Sequence, residues 1–178
     1  LPDDELGLIA GTGGALSITP AVEARMGHGA PTLGRVRALG VPAGLGVDVV
    51  STVPGEMFSV MRAALLSVDA SGGERVPAAD VLRAATLDGA TALGMADRIG
   101  SLRVGAQADI VLLRTDAVAA AGGHDPVGVA VNAHPGLVDT VLVAGRVVKR
   151  DGRLLHPAVA DVVAAANGIA ARLARSSG

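Results

Sequence analysis

Asp48 closes AGLGVD, residues 43–48, a run of small apolar residues that reads as a buried strand ending in an acid. A carboxylate released at a strand–loop junction can bind a cation or move a proton. It can equally cap a nearby backbone N–H, and the residues alone favour that simpler role. A second polar group lies in TPAVEARMGHGAP, residues 19–31, with Thr19, Glu23 and His28 within ten positions. Such a segment either faces a ligand or is a solvated surface loop. His28, His124, His134 and His156 show no H-x-H or H-x-x-x-H spacing, so they do not announce a metal site. One carboxylate does not hold a catalytic zinc, which normally takes three protein ligands.

The remaining chemistry-bearing residues read as structural. Glu56 suits the positive end of the helix that follows it. Met57 and Phe58 belong to a core. His124 and His134 meet solvent or a backbone group, and Asp109 supports the strand after it. The glycines at 11, 13 and 14 do not make a dinucleotide fingerprint, since no G-x-G-x-x-G leads a strand into a helix. Cysteine is absent, which excludes a disulfide scaffold, a thiolate metal centre and a cysteine nucleophile.

The elements that position these groups follow from pattern. The chain has 178 residues and a formal net charge of -2, with 50% hydrophobic and 18% charged residues. That composition packs a core and is not that of a disordered chain. Phe58 is the single aromatic and there is no basic run, so a nucleic-acid partner is not expected. Mean hydropathy is +0.50, yet Gly, Asp, Arg or Pro breaks every apolar run before the roughly 20 residues of a membrane span. No membrane partner is expected, and with no export pattern visible the expected location is the cytoplasm.

Short helices are expected at 3–11, capped by Asp3 or Asp4, and at 32–39, with strands at 15–19 and 43–48 and a Gly-rich loop at 22–32. Helices follow at 59–68 and 77–94, the latter open to division at Gly89, with a loop at 71–75 between them. Beyond Gly94 the pattern changes to a strand at Ile110–Leu113, a loop over 116–136, a hairpin over 138–155 turning near Gly145 and at Asp151-Gly152, and a terminal helix over 158–175. The first 70 residues alternate helix and strand, as parallel βα units do.

Four segments together resemble the C-terminal part of amidohydrolase-superfamily enzymes of the cytosine deaminase, guanine deaminase and triazine hydrolase type. They are GVPAGLGVDVV (40–50), MFSVMRAAL (57–65), AATLDGATALGMADRIGSLRVGAQADIVLL (84–113) and VDTVLVAGRVVKRDGRLL (138–155). The third is the most specific, a long ordered pattern that chance rarely produces.

The resemblance implies an α/β fold: the last two strands and following helices of a (β/α)8 barrel, plus the C-terminal half of a small β-sandwich. A barrel alone takes about 250 residues, so a C-terminal fragment of a longer enzyme is expected. Residues 1–97 would be the barrel part, 98–157 the share of a composite sandwich and 158–178 a terminal helix. The missing N-terminal portion of the barrel would be the natural partner, and the exposed strand edges imply a homo-oligomer.

Functionally, the resemblance implies a metal-dependent hydrolase acting on C–N bonds of cyclic amidines or heteroaromatic amines, with a small heterocyclic substrate. The divalent metal, zinc or iron, would belong to the full-length enzyme. Asp48 matches the strand-eight aspartate, both catalytic and a metal ligand. Thr19, Glu23 and His28 fall on the substrate-binding loop after strand seven, where this chain has Pro20 with Glu23 in place of the P-x-S-N-like pattern of related deaminases. The isolated segment is expected to bind no metal tightly and to be inactive. Two other readings compete: a non-catalytic fragment or degenerate paralogue acting as an association module, and an unrelated small α/β binding domain. A structure lacking a curled sheet with strands 15–19 and 43–48 adjacent would support the last.

Overall fold

The computed structural model describes residues 1–29, 32–66 and 75–176. The first helix, α1 (Asp3–Thr12), ends where Gly13 takes φ 71°, a left-handed cap that glycine adopts without steric cost. Its N-cap is Pro2 with no side-chain bond. Asp3 instead accepts from Arg35 Nε at 3.1 Å, so neither Asp3 nor Asp4 serves as the expected cap. β1 (Leu16–Ile18) follows.

The expected loop at 22–32 is helical over its first residues, in α2 (Pro20–Met26). Proline at the first helical position and the acceptor Glu23 start this helix, and Gly27 at φ 74° stops it. Next come α3 (Leu33–Ala38) and β2 (Ala43–Leu45). β1 and β2 pair in parallel, Leu16 opposite Ala43 and Ile18 opposite Leu45. The two expected strands are therefore neighbours, and the unrelated binding domain falls. β2 is shorter than the run 43–48, because the backbone leaves extended geometry before Asp48, which has φ 62°.

Three helices complete the first layer: α4 (Met57–Leu66), α5 (Ala78–Ala84) and α6 (Leu87–Ala92). The loop expected at 71–75 lies, save for Arg75, outside the described residues, as do positions 67 and 68 of the helix expected at 59–68. Leu6, Ile18, Leu33, Val36, Val60 and Val81 are fully or almost fully buried in one core, with Met57 and Phe58 packed against it.

The segment 77–94 divides at Ala85–Thr86, not at Gly89. Thr86 has φ -133° and ψ -93°, and its hydroxyl donates to Leu82 O at 2.7 Å. Gly89 serves a different purpose: a Cβ on Gly44 would lie 2.9 Å from Gly89 Cα. Glycine on both sides lets β2 and α6 touch backbone to backbone.

Asp88 is the buried charged residue among those described, 7% exposed. It accepts from Arg37 Nη1 at 2.6 Å and Arg83 Nε at 2.7 Å, while Arg37 Nη2 donates to Asp80 at 2.7 Å. Charge-assisted bonds thus tie α3, α5 and α6 together beneath β2.

After Gly94 the chain forms β3 (Ile110–Leu113), α7 (Pro126–Asn132), β4 (Val138–Val143), β5 (Arg146–Arg150), β6 (Arg153–Leu154) and α8 (Val159–Ser176). The four strands make an antiparallel sheet in the order β3-β4-β5-β6. Ala144-Gly145 and Asp151-Gly152 all have positive φ, 51°, 77°, 51° and 74°, as two-residue type I′ turns require. Asp109 Oδ1 accepts from Ala144 N at 2.7 Å and braces the first turn, a structural role.

The expected loop over 116–136 holds α7 and two 3₁₀ turns, at Val118–Ala120 and Pro135–Leu137. Asp125 caps α7 by accepting from Val127 N and Gly128 N, both at 3.0 Å, with Pro126 at the first helical position. This helix packs on α4 and α5 and buries Val131 in the main core, although it lies within the 98–157 stretch. α8 has no buried residue. No helix among the described residues is long and apolar enough to cross a membrane.

Candidate active site

The carboxyl ends of β1 and β2 form one rim. Parallel pairing places Ile18 beside Leu45, and Gly46 N donates to Ile18 O at 2.9 Å. Thr19 and Gly46 are the first residues past the paired strands. A Cβ on Gly46 would stand 3.3 Å from Thr19 Cγ2 and 3.0 Å from Ser17 Oγ. Two residues further on is Asp48, exposed and in the left-handed region, where a non-glycine residue carries backbone strain. Its carboxylate has no hydrogen bond or ion pair within the described residues, so it does not cap a nearby N–H there.

Thr19 and Glu23 are bound to each other. Glu23 Oε1 accepts from Thr19 N at 2.8 Å and from Thr19 Oγ1 at 3.2 Å. The arrangement is a form of capping box, in which a first-turn carboxylate reaches back to the N-cap residue. Both residues are partly buried. His28 follows the helix stop at Gly27; its backbone N–H donates to Glu23 O at 2.9 Å and its imidazole is exposed. The structure therefore sets Thr19, Glu23 and Asp48 around the same pair of strand ends, with His28 at the far end of α2.

The loop after Asp48 returns to the core through Glu56. Its Oε1 accepts from Ser59 N at 2.9 Å and from Arg62 Nη2 at 3.4 Å, so Glu56 caps α4 as its position suggested. Its Oε2 is buried without a partner among the described residues. Arg62 Nη1 also bonds Ala133 O, linking the middle of α4 to the end of α7. Sequence reasoning missed this link, since nothing in either segment alone signals it.

The other histidines lie elsewhere. His134 Nδ1 accepts from Gly136 N at 3.1 Å, His156 Nδ1 accepts from Ala158 N at 3.2 Å, and His124 is exposed. A concavity of about 410 Å³ is lined by Ala120, His124, Asp125, Asn132, Ala133 and Leu137, none of them a rim residue.

Among the described residues no three His, Cys, Asp or Glu side chains come together as metal ligands. The rim offers one open carboxylate. These residues do not by themselves fit a metal centre.

An amidohydrolase family model matches residues 9–148. The chain belongs to the amidohydrolase family. It is 36% identical over 180 residues to a 5-methylthioadenosine/S-adenosylhomocysteine deaminase of Desulforudis audaxviator, a match covering 99% of this chain and 42% of the relative.

Among solved structures, an adenosine deaminase from Xanthomonas campestris with bound zinc aligns with a TM-score of 0.91 at 30% identity. That alignment covers 98% of this chain and 41% of that one. An atrazine chlorohydrolase from Arthrobacter aurescens, complexed with zinc, aligns with a TM-score of 0.85 at 27% identity, covering 94% and 38%. The chain thus spans about 40% of the length of the amidohydrolases it matches. Its parallel pair with flanking helices and its antiparallel sheet are the partial barrel and small sheet that the resemblance implies. No closed barrel forms among the described residues.

Proposed function

We propose that this chain supplies the Asp48 side of the active site of a hydrolytic deaminase acting on an adenine-containing nucleoside or a close heteroaromatic amine. The observation that carries the reading is the open Asp48 carboxylate just past the carboxyl end of β2, whose neighbour β1 runs parallel to it and leads into Thr19. In barrels of this kind, reacting groups stand at that end of the strands. Family membership and the deaminase named in the 36% identical relative supply the reaction class.

The chemistry asked of Asp48 is proton transfer. Water adds its oxygen to the ring carbon that bears the amine, and a carboxylate oxygen of Asp48 takes the proton released. The same proton then passes to the amine nitrogen as the C–N bond breaks. The products are the oxo-substituted ring and ammonia, with Asp48 returned to its ionised form. In this reading the exposed His28, beyond the end of α2, meets the substrate, and Thr19 and Glu23 form the rim. The whole enzyme uses a divalent metal in this reading, with ligands other than Asp48 drawn from elsewhere in the polypeptide.

The test is an exchange enzyme. The 180-position stretch of the Desulforudis relative that matches this chain is replaced by the chain itself. Ammonia release from 5′-methylthioadenosine and from S-adenosylhomocysteine is then measured. A folded exchange enzyme that deaminates either compound supports the proposal. One that folds and releases no ammonia refutes it.

A second reading is favoured by α8. It has no buried residue, and Val162, Val163, Ile169 and Leu173 are 64%, 54%, 49% and 61% exposed. A two-stranded parallel pair with an unpacked apolar helix suits a module that associates with other chains. Sedimentation of the chain at micromolar concentration separates the two: a monomer with a cooperative melt removes this second reading.

A further inference from the structure

We infer that Glu23 is a positioning residue that acts through Thr19 and does not itself bind the substrate. The inference rests on the proposed deaminase reading for its kinetic part and on geometry alone for the rest. Glu23 Oε1 holds both donors of Thr19, the backbone N–H at 2.8 Å and the hydroxyl at 3.2 Å. With the hydroxyl held there, the Thr19 methyl is directed at the second strand, 3.3 Å from where a Cβ on Gly46 would stand. Gly46 is fastened to the first strand by its N–H to Ile18 O, 2.9 Å. The Glu23 carboxylate therefore holds the Thr19 side chain at the edge of the space that a side chain on Gly46 would occupy, two residues before Asp48.

Asp48 needs such support. It has φ 62° and no side-chain partner among the described residues, so its carboxylate is aimed only by its backbone. A strained residue keeps its conformation when its surroundings determine it. Glu23 fixes the Thr19 rotamer, the Thr19 methyl fills the notch left by Gly46, and the filled notch restrains the turn into Asp48. The glycine at 46 is required for the same reason: any larger side chain would displace the Thr19 methyl or the Ser17 hydroxyl, which lies 3.0 Å from the Cβ position.

The requirement is for an acceptor at Oε1, not for negative charge. Glutamine supplies that acceptor, so Glu23→Gln is the conservative variant. In the exchange enzyme, Glu23→Ala is expected to lower kcat by about 10-fold, with KM within about 2-fold, as a small misplacement of a reacting group does. Glu23→Gln is expected to recover kcat to within about 3-fold of the parent. A residue that binds substrate through its charge gives the opposite pattern: KM rises in both variants and glutamine does not rescue.

A second readout needs no catalysis. Amide hydrogen exchange is measured by NMR on the 178-residue chain. Thr19 N–H loses protection by at least about 10-fold in Glu23→Ala and keeps it in Glu23→Gln, since the lost bond is the one that shields this amide. Unchanged Thr19 exchange in Glu23→Ala overturns the inference whether or not the exchange enzyme is active. An inactive parent exchange enzyme with the expected Thr19 exchange pattern counts against the deaminase reading and leaves the positioning contact supported. An active parent whose Glu23→Ala variant changes only KM overturns the inference and leaves the deaminase reading standing.

Discussion

Gly44→Ala and Gly89→Ala should change stability in different ways, although the two glycines face each other. A Cβ added at Gly44 would lie 2.9 Å from Gly89 Cα and 3.6 Å from Gly89 N. Carbon atoms are best separated by about 3.5–4.0 Å, so the new methyl encroaches by roughly 0.6–1.1 Å on that scale. The obstacle is backbone, which cannot rotate away, and β2 is buried along its whole length. β2 and α6 must separate, at a cost of about 1–3 kcal/mol.

A Cβ at Gly89 points elsewhere. Its nearest neighbours would be Ala84 O at 3.4 Å and Gly44 Cα at 3.8 Å, ordinary contact distances. Alanine also favours helix over glycine by up to about 1 kcal/mol. Urea denaturation monitored by circular dichroism should therefore place the Gly44→Ala midpoint below that of the parent, with the slope unchanged. The Gly89→Ala midpoint should be equal or higher. For a chain of this length a loss of about 2 kcal/mol lowers Tm by roughly 4–8 °C. Equal losses in both variants, or none in Gly44→Ala, would show that β2 and α6 do not meet at these residues.

Three further outcomes follow from the contacts. Asp88→Ala should destabilise by about 2–3 kcal/mol, below the loss for a fully buried pair because Arg83 is 56% exposed and solvent screens it; urea titration reads the shift. Asp125→Ala removes the acceptor of two N–H groups at the start of α7 and should cost about 1 kcal/mol, with amide exchange rising first at Val127 and Gly128. Asp48→Gly relieves a left-handed non-glycine residue and should raise stability by roughly 1 kcal/mol, seen as a higher Tm. An unchanged or lower Tm would mean that the carboxylate has a stabilising partner after all.

The legible parts of the sequence were those whose signal is local. Ile110–Leu113 is a strand with the expected bounds, and the Asp151-Gly152 turn follows from residues that tolerate positive φ. The parallel pair was legible because each strand is a short apolar run between helical segments. Two helices have the pattern of loops although both carry a proline at the first helical position. At α2 the glycines at 27 and 29 outweighed Thr19-Pro20 and Glu23; at α7 the surrounding Ala, Gly and His masked Asp125-Pro126.

What no window could reveal depends on distant pairs. Gly89 resembles a helix breaker until Gly44 is set against it. Glu23 resembles a ligand-facing acid until its oxygen is found on Thr19. The left-handed conformation of Asp48 is likewise not readable from its window, since aspartate tolerates positive φ but does not demand it.

In the proposed reading Asp48 is the group that moves the proton. Its most direct test is the kcat of the exchange enzyme with Asp48→Asn, an isosteric change that removes the basic oxygen. Deamination should fall by at least about 10²-fold while the melting temperature stays at or above that of the parent. An Asp48→Asn enzyme that deaminates within a few-fold of the parent would contradict it.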